Sequence, residues 1–159
     1  MLKSRKIKPF LWFDTQAEEA AKFYVSVFRR SKLGEITRYP TGSPGPAGKV
    51  MTVAFRLEGQ DFVALNGGPQ YKFTEAVSLV VECRDQKEID YYWKKLTARG
   101  GKPVACGWLK DRYGLFWQIV PRGWDEYYSA KDPQRAARVM QAMMKMVKLD
   151  IAKLEQAAR

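Results

Sequence analysis

The stretch Cys106 to Pro121, CGWLKDRYGLFWQIVP, carries a turn signal and a buried strand side by side. Within it Asp111-Arg112-Tyr113-Gly114 has the chemistry of a tight hairpin, since the Asp side chain can bond the local backbone and Gly114 is free to take a positive φ. The run that follows, Leu115-Phe116-Trp117-Gln118-Ile119-Val120, is too short for a typical helix and rich in aromatic and β-branched residues. That pattern predicts a strand covered on both faces. Gln118 is its single polar side chain. A lone amide there is either a satisfied core group or a group aimed at a ligand, because leaving it buried and unpaired is costly.

Working outward from this strand, the second half of the chain reads as a strand over Val77 to Arg84, then a helix after Asp85 with Ile89, Tyr92, Trp93 and Leu96 on one face. Gly100-Gly101 stops the helix, and short strands run on to Val120. The first half repeats that order. Ile7 to Phe13 predicts a strand, with Pro9 tolerated at an edge or strand start. Thr15-Gln16-Ala17-Glu18 fits a capping box, and Ala17, Ala20, Ala21, Tyr24, Val27 and Phe28 form a helical stripe. Residues 32 to 40 suit an irregular strand. Thr41 to Gly48, TGSPGPAG, reads as a surface loop and a candidate lid. Val50 to Glu58, Gly59 and Asp61 to Asn66 predict a hairpin.

The chain is thus a βαβββ unit written twice, an α+β protein with module one at about 5–66 and module two at about 77–121. Asn66-Gly67-Gly68-Pro69 begins the connector; it lacks the Lys-Ser/Thr and spacing of a phosphate loop, and reads as a flexible link. A unit of about sixty residues buries too little apolar surface for comfortable stability. The two copies are therefore expected to pair as a single domain over 1–159, as a cupped mixed sheet around a shared concavity, the default binding site. After Pro121 a helical tail at about 123–158 is expected, with Asp132 as N-cap, Pro133 at the first helical position and a stripe of Ala136, Val139, Met140, Met143 and Val147. Its methionines suit an adaptable packing surface against the sheet or a second subunit.

Composition narrows the function classes. The 159 residues carry a formal charge of +11, no histidine and two cysteines. Such a charge invites nucleic acid, yet beyond the start Lys3-Ser4-Arg5-Lys6-Ile7-Lys8 the basic residues are scattered and no recognised nucleic-acid motif accompanies them, which argues against that partner. The same charge suits attraction of small anions. No apolar run is long enough to span a bilayer and no signal-peptide core follows the basic start, so a cytoplasmic protein with no membrane association is expected. Cys83 and Cys106 form neither a disulfide framework nor a CxxC site, and read as buried thiols.

The repeat, together with WFDTQAEEAAKFY, NGGPQYKFTEAVSL, CGWLKDRYGLFWQIVP and the tail DPQRAARVMQAMMKMVKLDIAKLEQAA, closely resembles the PhnB-like branch of the vicinal-oxygen-chelate superfamily, which includes glyoxalase I, extradiol dioxygenases and antibiotic-resistance proteins. Members of this branch often carry the label 3-demethylubiquinone 3-methyltransferase. The resemblance implies the glyoxalase-like fold and a homodimer. It also implies four inward positions that hold a divalent ion through His and Glu in the superfamily's metal enzymes. Those positions fall here on Ser78 and Gln118, near Ile7 or Pro9, and near Asn66. Neutral amide and hydroxyl oxygens are weak ligands for Zn, Ni or Fe, so no metal is expected. Nor does any strand lead through a glycine-rich turn into a helix, as a nucleotide-type cofactor such as S-adenosylmethionine usually needs; no cofactor is expected.

Strand parity supplies the candidate site. Gln118 shares a face with Phe116 and Val120, while Leu115, Trp117 and Ile119 take the face under a helix; Ser78 shares its face with Val80 and Glu82. Gln118 and Ser78 are accordingly expected to line the cup with Asn66, Phe73 and Trp108. Glu82 is the carboxylate on that face with a claim to acid–base work, against the competing reading of a surface glutamate that is solvated or paired with Arg. The function expected is metal-independent binding of a small molecule, anionic in view of the charge. The alternative is an enzyme, by group transfer as the family label suggests or by acid–base chemistry from Glu82, Asp111 or a tyrosine on a small anionic substrate.

Overall fold

Residues 6–159 are described by the computed structural model, so Lys3, Ser4 and Arg5 of the basic start lie outside the described residues. The chain divides into two units, one reaching to Phe73 and the other spanning Thr74–Arg159. No helix among the described residues is long and apolar enough to cross a membrane.

The first unit contains β1 (Phe10–Phe13), α1 (Ala17–Val27), β2 (Lys32–Arg38), β3 (Val50–Leu57) and β4 (Gln60–Asn66), with strand order β1-β4-β3-β2. β1 runs parallel to β4 and the other pairs are antiparallel. β1 is shorter than its apolar run because Pro9 has no N–H to donate; only its carbonyl joins the sheet, accepting from Val63 N at 3.1 Å. The alternation of β3 buries Val53, Phe55 and Leu57. Tyr24 of α1 stacks on Phe55, which stacks in turn on Phe62 at 5.2 Å. Glu58 and Gly59 both take positive φ, 45° and 86°, the geometry that lets a two-residue turn follow the twist of the paired strands. β2 is irregular as expected, with register shifts between Leu33 and Ile36 and between Thr37 and Arg38.

The Thr15–Glu18 capping box does not form. Gln16 occupies the N-cap position without a capping side chain, and Glu18 pairs instead with Lys22 at 2.7 Å. The open N–H of Ala17 is met from 49 residues away by Asn66 Oδ1, at 2.7 Å. The Asn66-Gly67-Gly68 link is likewise anchored. Gly67 N donates to Phe13 O, and Trp12 Nε1 donates to Gly68 O at 2.9 Å. The Trp12 ring lies so close over Gly67 that a Cβ there would overlap it. The glycine spacing that reads as flexibility in sequence serves this close approach.

The second unit repeats the plan: β5 (Ser78–Cys83), α2 (Gln86–Thr97), β6 (Lys102–Pro103), β7 (Trp108–Lys110) and β8 (Phe116–Pro121), in the order β5-β8-β7-β6, with β5 parallel to β8. Asp85 caps α2 by accepting from Glu88 N at 2.9 Å, and Ile89, Tyr92 and Leu96 are buried. The turn between β7 and β8 is held by Asp111, only 2% exposed. Its Oδ1 accepts from Tyr113 N and Leu115 N at 2.8 and 3.1 Å, and its Oδ2 accepts from Trp117 Nε1 at 2.8 Å. Gly114 follows at φ 88°. Leu109, Trp117, Ile119 and Cys83, which share one parity, are all buried, whereas Val80 and Glu82 on the other are exposed.

The tail forms α3 (Trp124–Tyr127), α4 (Pro133–Met143) and α5 (Ile151–Ala157). Asp132 and Asp150 cap α4 and α5 through Arg135 N and Lys153 N. Helix α4 ends before Val147, which is half exposed; the chain there runs along the sheet, with Cys106 N and Gly107 N donating to Met146 O and Val147 O at 2.8 Å. Gln86 fastens this segment to α2, its amide donating to Leu149 O and accepting from Ile151 N. Val139, Leu149 and Leu154 close a small core around Val120 of β8. Each such aliphatic side chain contributes roughly 1.5–3 kcal/mol by burial, which explains how short helices hold their place.

Candidate ligand-binding face

Strand register in the second sheet sets three candidate residues side by side. Trp108 pairs with Gln118 across β7 and β8, and Gln118 pairs with Val80 across β8 and β5. One step along, Lys110, Phe116 and Ser78 form the neighbouring row. Paired residues in adjacent strands project to the same side, so the two rows make one patch with strands about 4.8 Å apart. Gln118 Nε2 donates to Ser78 Oγ at 2.8 Å. That bond uses one of the amide's two N–H groups and one lone pair of the hydroxyl. The Ser78 O–H and the Gln118 Oε1 keep their capacity, so the pair offers a donor and an acceptor next to each other.

Lys110 and Phe116 complete the patch. The ammonium stands 5.9 Å from the Phe116 ring centroid, placing a positive charge beside the Ser78 row. Sequence reading passed over Lys110. Its signal was the parity of the hairpin: it is two residues from Trp108, and the Asp111–Gly114 turn fixes it opposite Phe116. The far end of the same face is closed by the tail, since Val120 shares the parity of Gln118 and lies in the Val139–Leu149–Leu154 core.

The other candidates make contacts of their own. Asn66 belongs to the first unit, and its side chain is committed there, with Oδ1 capping α1 and Nδ2 donating to Val50 O at 3.2 Å. Phe73 lies edge-on to Phe13 at 5.2 Å, also in the first unit. Ile7 lies outside β1 and is 83% exposed, and Pro9 contributes its carbonyl to the sheet. Glu82 is exposed at the β5 edge, paired in register with Val120, and among the described residues has no ion-pair or hydrogen-bond partner. Asp111, the second carboxylate considered for acid–base work, is occupied by three N–H groups of its own hairpin.

Burial pushes the Cys83 thiol up to about 12, so this cysteine is a protonated core group. Burial also raises the Tyr128 phenol to about 12; its hydroxyl contacts Met143 Sδ at 3.0 Å. Neither is a poised base or nucleophile at neutral pH.

The donors present do not fit a divalent transition metal. Ser78 and Gln118 are neutral and bonded to each other, the sequence has no histidine, and among the described residues no three His, Cys, Asp or Glu side chains gather. Nor do the residues fit a dinucleotide-type cradle: β1 leads into α1 through Asp14-Thr15-Gln16, and β5 into α2 through Arg84-Asp85, without glycine.

Comparison with solved structures places this arrangement among known folds. A PhnB protein of Bacillus cereus, described as a putative 3-demethylubiquinone-9 3-methyltransferase, is 36% identical with a TM-score of 0.67, over 74% of this chain and 99% of its own. A Pseudomonas aeruginosa protein is 20% identical with a TM-score of 0.61, over 74% of this chain and 98% of its own. The fosfomycin resistance protein of Listeria monocytogenes, solved with Mn(II) and sulfate, is 13% identical with a TM-score of 0.52, over 80% of this chain and 99% of its own; it shares the fold. Comparison with curated proteins finds no match. A family model described as 3-demethylubiquinone-9 3-methyltransferase matches residues 5–120, both βαβββ units. On that match and the Bacillus cereus likeness, the chain belongs to the PhnB-like 3-demethylubiquinone-9 3-methyltransferase family, with the glyoxalase-like α+β fold.

Proposed function

We propose that this protein binds a small organic anion on the Ser78–Gln118–Trp108–Lys110 face of its second sheet, without a metal ion. The observation that carries this reading is the Gln118–Ser78 hydrogen bond, which orients an amide and a hydroxyl at a half-buried position while leaving each with unspent capacity. The spare donor and acceptor are part-buried, so a ligand can take the place of water on them. Trp108 offers a flat apolar surface in the Gln118 row, and Lys110 a charge in the Ser78 row, so a planar body with an anionic group matches the patch. Acid–base turnover has less support, because Asp111 is committed to its hairpin and Glu82 stands exposed to solvent.

A second copy of the chain is part of the same reading. β5 is an edge strand, with Val77 just before it and Val80 within it 67% and 55% exposed, an apolar margin suited to covering by another subunit.

Gln118→Leu tests the function. It keeps the side chain's bulk and removes the amide, so affinity for a small-molecule ligand should fall by about 1 to 3 kcal/mol while stability changes much less. Binding should survive a chelator unchanged. Retained affinity in a folded Gln118→Leu variant would refute the assignment.

A further inference from the structure

The tail of the second unit encloses a cavity of about 380 Å³, built from residues that lie beyond 5–120, the stretch the family model matches. It opens where β8 ends. Arg122 N donates to Cys83 O at 2.8 Å, which extends the β5–β8 pairing at the opposite end of β5 from Ser78. Gly123 then takes φ 73°, in the left-handed region open to glycine, and turns the chain into α3, so that Glu126 and Tyr127 reach the cavity. Arg135 of α4 lies over the Tyr127 ring, with Cζ 6.0 Å from the centroid, and its Nη1 donates to Glu126 O at 3.5 Å. Glu155 of α5 and Arg159 just after it complete the charged lining, next to buried Leu154, which anchors the helix.

Three arginines and two glutamates thus surround one cavity without neutralising each other. None of Arg122, Glu126, Arg135, Glu155 and Arg159 takes part in the ion pairs found among the described residues. Elsewhere in the chain neighbouring opposite charges do close, Glu18 on Lys22 at 2.7 Å and Glu88 on Arg84 at 2.6 Å. Nor is this only a solvated surface, because Tyr127 and Arg135 are half-buried. Burial, and after it the Glu155 carboxylate, raises the Tyr127 phenol above its ordinary value. That hydroxyl therefore stays protonated at neutral pH, with Glu155 within electrostatic reach of it. A simple anion in the cavity would meet the arginines but stand against both glutamates, and a simple cation would face the converse. A ligand with a carboxylate and an ammonium on one body suits both sets, and the surplus arginine favours a second carboxylate.

We propose that this cavity binds a small amino acid with an acidic side chain, its carboxylates on the arginines and its ammonium on Glu155 and Glu126. The planar guanidinium fork matches a carboxylate with two parallel donors, and an ammonium has three donors to share between two glutamates.

L-Glutamate at about pH 7, where it carries one ammonium and two carboxylates, is the probe, titrated into the ¹⁵N-labelled protein and followed by amide chemical shifts. Saturable shifts centred on Gly123, Tyr127 and Ala158 are expected, with a dissociation constant below about 1 mM. Glutarate, the same chain without the ammonium, should bind about threefold more weakly or worse. Arg135→Gln should weaken L-glutamate by about tenfold, and Arg122→Gln, a change at an exposed side chain, by about threefold, each with the spectrum otherwise that of a folded protein. Glu155→Gln is the decisive variant. It should cost L-glutamate about threefold while leaving glutarate bound no more weakly, a split that a merely structural role for Glu155 would not produce. The proposal is overturned if no saturable shift appears at these amides up to about 10 mM, if glutarate binds as tightly as L-glutamate, if both arginine variants bind as the wild type does, or if Glu155→Gln weakens the two ligands alike.

Discussion

Removing the Asp111 carboxylate should destabilise this protein more than a change at an ordinary turn residue. The side chain accepts three N–H groups, and two of the donors are buried: Leu115 is 1% and Trp117 2% exposed. In Asp111→Ala the Leu115 amide and the Trp117 indole lose their partner where water cannot replace it, whereas Tyr113 N lies in a part-buried turn that water can reach. At about 1 to 3 kcal/mol for each stranded donor, the cost is about 2 to 6 kcal/mol. That is a large share of the roughly 5–15 kcal/mol available to a domain of this kind. Asp111→Asn is the sharper probe. Its oxygen can still accept the two backbone N–H groups, but its NH₂ then faces the Trp117 N–H, donor against donor. Trp117→Phe removes that clash, so the double variant should be less destabilised than the sum of the single changes by about 1 kcal/mol or more. Urea denaturation followed by far-ultraviolet circular dichroism measures all five proteins without relying on tryptophan emission. Asp111→Ala within about 0.5 kcal/mol of the wild type, or a strictly additive cycle, would show that the Asp111 carboxylate does not hold the turn.

Alkaline pH should weaken the fold. Burial raises the Cys83 thiol from 9.0 and the Tyr128 phenol from 10.0, each to about 12, so the folded chain keeps protons that the unfolded chain has already lost. The stabilisation is fully present below about pH 9 and is lost as pH climbs towards 12; urea midpoints should fall over that window, less steeply in Cys83→Ala, and equal slopes for the two proteins would contradict the assignment. The chain should also dimerise through the β5 margin. Light scattering at micromolar concentration should give twice the 18.3 kDa chain mass, and Val80→Lys should shift it towards one chain; a wild-type mass near that of one chain would refute the dimer.

Much of the fold was legible because its signals are local. The hairpin chemistry of Asp111 to Gly114, the alternation of Val50 to Leu57 and the Asp85 cap each depend on neighbours within a few residues, and the repetition of strand, helix and three strands fixed the α+β plan. The readings that changed depend on distant partners. Glu18 had the spacing of a capping box, but α1 is capped by Asn66, a contact across 49 positions that no local pattern records. The same contact explains why Asn66, placed at a strand end like a ligand group, serves the backbone instead. Gly67 looked like slack in a linker because the sequence does not show the Trp12 ring above it. In the candidate site, parity brought Ser78 and Gln118 to one face, but the bond between them and the place of Lys110 in the next row needed the strand register. Val147 was misread as helical because its apolar side chain fits the stripe of α4, while its carbonyl pairs with Gly107 N.

The Gln118 side-chain amide reports most directly on ligand binding at this face. In the ¹⁵N-labelled protein, small planar organic anions can be titrated in turn while the Gln118 Nε2 and Trp108 Nε1 signals are watched, with Gln118→Leu used for assignment. At least one ligand should shift both signals saturably and together, and lose affinity in Ser78→Ala. A ligand that binds tightly while both signals stay still would contradict binding at this face.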